Sequence, residues 1–287
     1  MDLPMSEIIR TAEKAHSPKS AITTFVMFAF LFSSVFWCLI ARLPQVAENA
    51  NRLLIYTIAA MWCPAVAAVL TRLLYQRNLK GFGFCLGRAY GLFLGMFLPV
   101  LVGLVMFGSA WISGIAPLDA SKLDRVFSPA FIPTFLFALV FNCFAAFGEE
   151  LGWRGFLVPE LSRCMGFTGL SLISGAIWTV WHFPLIIFAN YHGAGSLGYS
   201  FAVFIPSVMG AGLVLAWLRL ALGSVWPAVL FHGFWNYFIQ QFYPLLTVKT
   251  PAGDQMLGEF GWFVAIAYVV LALVFWRLRH LISNATH

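Results

Sequence analysis

Runs of about twenty apolar residues recur along almost the whole chain, and they restrict its fold more than any other feature. A helix needs roughly 20 such residues to cross the hydrocarbon of a bilayer. Eight windows of that kind can be drawn, at 21–41, 53–71, 89–113, 130–148, 167–189, 198–218, 222–242 and 260–276. Of the 287 residues 61% are hydrophobic and 10% charged, against about 25% charged in an ordinary soluble domain. The pattern predicts an all-α, polytopic membrane helix bundle of about eight transmembrane helices, with any site in the bundle core.

The net charge of +6 does not imply a nucleic-acid partner, because the basic residues sit in the short segments between spans and form no patch. With the N-terminus inside, the inner segments carry twelve Lys and Arg: Arg10, Lys14, Lys19, Arg72, Arg77, Lys80, Arg88, Arg154, Arg163, Arg219, Arg277 and Arg279. The outer segments carry five, Arg42, Arg52, Lys122, Arg125 and Lys249. The positive-inside rule then places both termini in the cytoplasm of a multi-pass protein of the plasma (inner) membrane. The five cysteines lack CxxC spacing and read as small apolar residues.

Residues 1–20 read as a cytoplasmic tail, with a short surface helix around Met5 to His16, and 21–129 as the N-terminal transmembrane helices. Tyr75 to Arg88, with three glycines, reads as an inner loop. Gly91, Gly95 and Gly103 in the third window, which Pro99 interrupts, suit close helix packing. The segment 155–166 reads as an interfacial cytoplasmic helix. Residues 243–287 supply an outer connector (243–259) and the last transmembrane helix.

Against this apolar background one stretch stands out, Gly148-Glu149-Glu150-Leu151-Gly152-Trp153-Arg154, which follows nineteen uncharged residues. An ionised side chain at the bilayer centre costs about 2.5–3.5 kcal/mol on insertion scales, so such groups face a protein interior and have a partner. Glu150 and Arg154 stand at i,i+4 with the acid N-terminal, the favourable order. Glu149 is rotated about 100° away and has no partner at i+4. Two further windows carry ionisable groups, His182 beside Pro184, and His232 with Asn236 one turn on, near Pro227. Each proline would leave a carbonyl without its helical donor. Three helices thus contribute polar groups that are prohibitive against lipid, and one shared cavity would satisfy them; a polar knot that merely holds helices together is the competing reading.

A carboxylate and an imidazole can orient and deprotonate a water, while a second imidazole and a carboxamide can donate to an oxyanion. Equally, one Glu and two His make a zinc-type ligand set with an open position for water. Either way the chemistry is hydrolysis. No HExxH, GxSG or GxGD motif occurs.

Glu149-Glu150-x-x-x-Arg154, then Trp178-x-x-x-His182, then His232-x-x-x-Asn236 resembles the CPBP (ABI) family of intramembrane endopeptidases, which includes the CAAX-prenyl endopeptidases. The likeness runs over about 130–240, so 130–242 is expected to be the catalytic domain. Trp178 stands where Phe is usual, an exchange of one apolar aromatic for another. The resemblance implies Glu149 as base on water with His182 helping to hold it, His232 and Asn236 stabilising the oxyanion, and Glu150 and Arg154 as a supporting pair. A divalent metal such as zinc on Glu149, His182 and His232 and metal-free water activation are both compatible with it. The expected activity is cleavage of a lipidated or membrane-associated peptide at a cytoplasm-facing site, with membrane lipid and that peptide as partners. A proton-coupled transporter, or an adaptor or immunity protein on the same scaffold, are the alternatives.

Overall fold

A computed structural model of the protein describes residues 17–43 and 49–283, so the helix expected around Met5 to His16 lies outside the described residues. Apart from one β-bridge between Leu118 and Thr247, regular structure among the described residues is helical. The long helices are α1 (Pro18–Ala41), α2 (Ala50–Gln76), α3 (Ala89–Ser113), α4 (Phe131–Gly152), α6 (Phe167–Phe188), α7 (Leu197–Leu222), α8 (Trp226–Tyr237) and α10 (Trp262–Arg277). Among the short ones between them are α5 (Val158–Ser162) and α9 (Pro251–Met256).

Six helical stretches are long and apolar enough to cross a membrane. The other two expected spans are present in altered form. The seventh is α8 running on through a π-helical turn, Phe238–Phe242, to Leu245. The eighth, α10, has 16 residues, roughly 24 Å at 1.5 Å per residue.

Side-chain burial shows how uniformly apolar helices choose a face. In α1 the buried positions are Ala21, Phe25, Ala29, Ser33 and Trp37, a four-residue repeat that marks one helical face, while Met27, Leu31 and Val35 point outward. In α3 the inward stripe is Gly91, Gly95, Pro99, Gly103, Phe107 and Ala110, and Pro99 sits inside a continuous helix. A β-carbon at Gly91 would come within 2.8 Å of Leu222 and one at Gly103 within 2.6 Å of Ile239, so the packing role expected of these glycines holds. α3 thereby lies against α8, α8 against α4, and α4 against α2, while α7, the most enclosed helix, packs between α6 and α10.

The 77–88 loop is a turn structure, as its glycines indicate: Gly81, Gly83 and Gly87 have φ of 88°, 83° and 72°. It is tied to the α7–α8 turn by Val225 N–H to Gly83 O (2.9 Å), Trp226 Nε1–H to Phe84 O (2.9 Å) and Arg219 Nη2–H to Gly81 O (2.9 Å).

The segment after the acidic pair departs from expectation. It is no surface helix: α4 passes directly into a π-helical turn, Trp153–Leu157, and then into α5, and Phe156, Leu157, Val158 and Leu161 are buried in the core. The apolar side chains there are enclosed by protein on all sides, which a helix at a membrane surface cannot provide. The 32-residue run Phe131–Ser162 spans roughly 48 Å at 1.5 Å per residue, which leaves Glu149 well inside the bundle and not at its edge.

Candidate active site

Three helices bring the polar residues together. Glu149, Glu150 and Arg154, at the end of α4 and the start of its π turn, are 2%, 0% and 1% exposed, so each must find its partner in the protein. Arg154 Nη1 donates to Glu150 Oε1 at 2.8 Å, the pair expected from the i,i+4 spacing. The same Oε1 accepts from His232 Nδ1 on α8, also at 2.8 Å. A carboxylate oxygen only accepts, so this contact fixes the proton on Nδ1 and leaves His232 Nε2 to face the cavity.

That juxtaposition depends on a close approach of α8 to α4. A β-carbon on Gly233 would stand 2.6 Å from the Cα of Cys143, so only glycine lets the two backbones come near enough for His232 to reach Glu150.

Glu149 is not without a partner, contrary to the i+4 argument. Trp178 Nε1–H, on α6, donates to its Oε2 at 2.7 Å. The exchange of Phe for Trp at this position therefore does more than swap one apolar ring for another, since only indole carries that donor. The ring face of Trp178 also receives the Arg154 guanidinium at 4.2 Å, and both imidazoles meet it edge-on, His182 at 5.7 Å and His232 at 5.5 Å between ring centres. Trp178 is thus the hub to which acid, base and cation all attach. His182 gives its Nδ1–H to the Trp178 carbonyl one turn back at 2.8 Å, which leaves Nε2 as the free nitrogen. Pro184 lies inside α6 as expected, but Pro227 sits in the first turn of α8, where its missing N–H takes no bond from the helix.

Trp178, His182, His232 and Asn236 line one cavity of about 480 Å³ including its open mouth, with Phe204, Phe231 and Trp235 among its apolar walls. Glu149 is not part of this lining and is joined to it through the Trp178 indole N–H. Asn236 also takes a weak hydrogen bond from Gln240, at 3.4 Å. Among the described residues no three His, Cys, Asp or Glu side chains converge as a metal site. One oxygen of Glu149 is already given to Trp178, and Glu149 is not part of the lining that holds both imidazoles, so Glu149, His182 and His232 do not fit a zinc site as placed.

Glu259, assigned to a plain connector by its sequence context, also lines this cavity. It is partly buried and accepts a hydrogen bond from the Tyr191 hydroxyl. Burial above all pushes its carboxyl up to about 7; the Tyr191 hydrogen bond and His232 pull it down, and Glu149 raises it further. Burial also pushes the Tyr191 phenol well up. Neither residue belongs to a recognisable motif; the only sequence signal was an acidic residue immediately before an apolar window.

The chain resembles known proteins over the stretch that carries most of these residues. Residues 130–238 match the family described as Type II CAAX prenyl endopeptidase, Rce1-like. A protein named CAAX prenyl protease 2, from Methanococcus maripaludis, is 32% identical over 111 residues, which are 37% of this chain and 39% of the relative's length. The family match, 130–238, contains Glu149, Glu150, Arg154, His182, His232 and Asn236 and stops short of Glu259.

Proposed function

We infer that this chain, a member of the CPBP/CAAX protease family through residues 130–238, is an intramembrane endopeptidase that hydrolyses a peptide bond of a prenylated or otherwise lipid-anchored substrate. The observation that carries the reading is the convergence of His182, His232 and Asn236 on one cavity, with Glu149 joined to it through the Trp178 indole N–H. In this mechanism a water lies between the cavity-facing Nε2 of His182 and Glu149, whose Oε1 is left free by the bond from Trp178 to Oε2. Glu149 takes the water's proton as the oxygen attacks the scissile carbonyl. The oxyanion that forms receives hydrogen bonds from the Asn236 amide and from Nε2–H of His232 in its doubly protonated form, which Glu150 and Arg154 brace from behind. The proton on Glu149 then passes to the departing amine. The apolar and aromatic walls exclude bulk water and suit a lipid-modified segment.

Every group in this sequence of steps belongs to the chain, so cleavage of a lipidated peptide should survive dialysis against a strong chelator. Abolition by chelation with recovery on adding zinc would instead require Glu149, His182 and His232 to close around a metal. The broader test compares membrane proteomes of cells carrying the wild type or Glu149→Gln. Loss of specific fragments in the variant supports the peptidase; identical proteomes from a folded variant would return the scaffold to an adaptor role.

A further inference from the structure

The cavity extends beyond the groups that the hydrolysis uses, to the loop end of the bundle where 189–196 and 257–261 meet. There the wall is Glu259, on the segment leading into α10, past the last residue of the family match. Its carboxyl has no cationic partner: the ion pairs among the described residues join Glu150 to Arg154 and His232, and Glu160 to Arg163. It is nonetheless held in place. The Tyr191 hydroxyl donates to Oε2, and the Tyr191 ring is itself wedged edge-on against Phe260 at 5.3 Å and Phe204 at 6.3 Å. The other oxygen is left for a ligand.

The charge balance around the cavity points the same way. Glu149, Glu150 and Glu259 are carboxyls; Arg154 and His232 are both bonded to Glu150, at the deep end, so the carboxyl of Glu259 is the charge that faces the loop end. Low-dielectric walls focus such an imbalance into the cavity. Phe204, Phe231 and Trp235 in the lining add ring faces that attract cations. An anionic group, a free substrate carboxylate included, is disfavoured at this end.

We propose that Glu259, oriented by Tyr191, is a specificity-determining residue: it forms a subsite for a positively charged group of the substrate, a lysine or arginine side chain or an ammonium. A cation placed there anchors the peptide at the loop end while the scissile bond lies deeper, beside His182 and His232. The proposal rests on the peptidase reading, but its binding step can be measured apart from turnover.

The experiment uses full-length protein in nanodiscs and a set of lipidated peptides in which one residue is lysine, norleucine or glutamate, walked along both sides of the candidate cleavage site. The wild type should favour lysine over norleucine at one position by roughly tenfold in kcat/KM, mostly through KM, with glutamate worst. In Glu259→Gln, which preserves the shape and an acceptor for Tyr191, that ratio should fall to about one, and Glu259→Asp should restore part of it. An unchanged ratio in Glu259→Gln would make the Tyr191–Glu259 contact a clamp between two loops and overturn the subsite. Absence of a lysine preference at every position in the wild type would do the same, whether or not the variant folds. If no peptide is cleaved, peptide binding to wild type and Glu259→Gln by fluorescence anisotropy reads the same lysine-to-norleucine ratio. A preference found there and lost in the variant supports the subsite while the peptidase reading fails; no preference overturns the subsite as well.

Discussion

Glu149 and Glu150 are adjacent and equally enclosed, yet they should fail in different ways. Glu150 is gripped by Arg154 and His232, and stripping the charge from one partner of such a buried arrangement costs about 3–5 kcal/mol. Glu150→Gln should therefore lower the unfolding temperature in detergent sharply and lose activity with the fold. Glu149→Gln keeps an oxygen for the Trp178 donor and should unfold near the wild-type temperature while turnover drops by about 10²–10⁴. Near-normal cleavage by folded Glu149→Gln would remove it from the base's role. Trp178 allows a second prediction at this scale. Trp178→Phe deletes the donor to a buried carboxylate and should destabilise by about 1–3 kcal/mol. In a double-mutant cycle with Glu149→Gln, part of that loss should vanish, because a hydrogen bond to a neutral amide is worth less than one to a charge. Strict additivity would show that the carboxylate's charge adds nothing to the bond. Glu259 supplies a pH dependence. With its carboxyl raised to about 7 in the fold, it is neutral below and charged above that value. The lysine preference should therefore grow between about pH 6 and pH 8, and grow much less in Glu259→Gln. Tyr191 beside it, and His182, His232 and Tyr268 across the cavity, do not reverse this sign, since none of them becomes more positive as pH rises. For stability the sign is opposite: the folded chain holds this proton more tightly than the unfolded one, so the contribution is lost as pH rises through about 7. The i,i+4 rule revealed the Glu150–Arg154 pair because both residues share a helix. The Trp178, His232 and Tyr191 contacts join residues 29, 82 and 68 positions apart, which no local spacing encodes.

At the scale of elements, apolar windows were enough to locate the helices, and glycine spacing was enough to mark where they touch. What spacing did not convey was the continuation of α4 through Trp153–Leu157. The glycine and proline around Phe156 read as interruptions, whereas a π turn absorbs them without ending the helix. Close packing beside the site leads to a paired prediction. Gly233→Ala would drive a β-carbon to 2.6 Å from the Cys143 Cα. Overpacking of this kind costs about 1–3 kcal/mol, and the shift needed to relieve it pulls His232 from Glu150, so activity should fall more than stability. A β-carbon at Gly108, on α3, would meet nothing within 4 Å. Gly108→Ala should instead be neutral or gain up to about 1 kcal/mol from helix propensity. Thermal unfolding and peptide cleavage, measured on both variants, check the contrast; equal behaviour would mean that the α4–α8 contact is slack.

Across the whole molecule, the bundle, its span pattern and the meeting of three helices followed from hydropathy and the expense of lone charges in lipid. The direction in which the cavity opens did not, because that depends on which end of each helix its lining residues occupy. The lining runs from Trp178 and His232, midway along α6 and α8, to Phe204 and Val264 in the first halves of α7 and α10, with Leu215 further along α7, and to Glu259 before α10. The lining thus reaches, at Glu259, the end of the bundle that carries the segment before α10. The twelve-to-five distribution of Lys and Arg favours placing that end outside, whereas the resemblance implies a cytoplasm-facing site. We give the charge bias, summed over all the segments, more weight than an orientation taken from resemblance alone. We therefore expect cytoplasmic termini and a mouth on the outer face. In a variant freed of native cysteines, Ala252→Cys should react with an impermeant thiol reagent in intact cells, and Lys80→Cys should react only after the membrane is opened. Both positions are exposed in the fold, so protection can come only from the bilayer. Labelling of position 80 with protection of 252 would invert the protein and return the cavity to the cytoplasm.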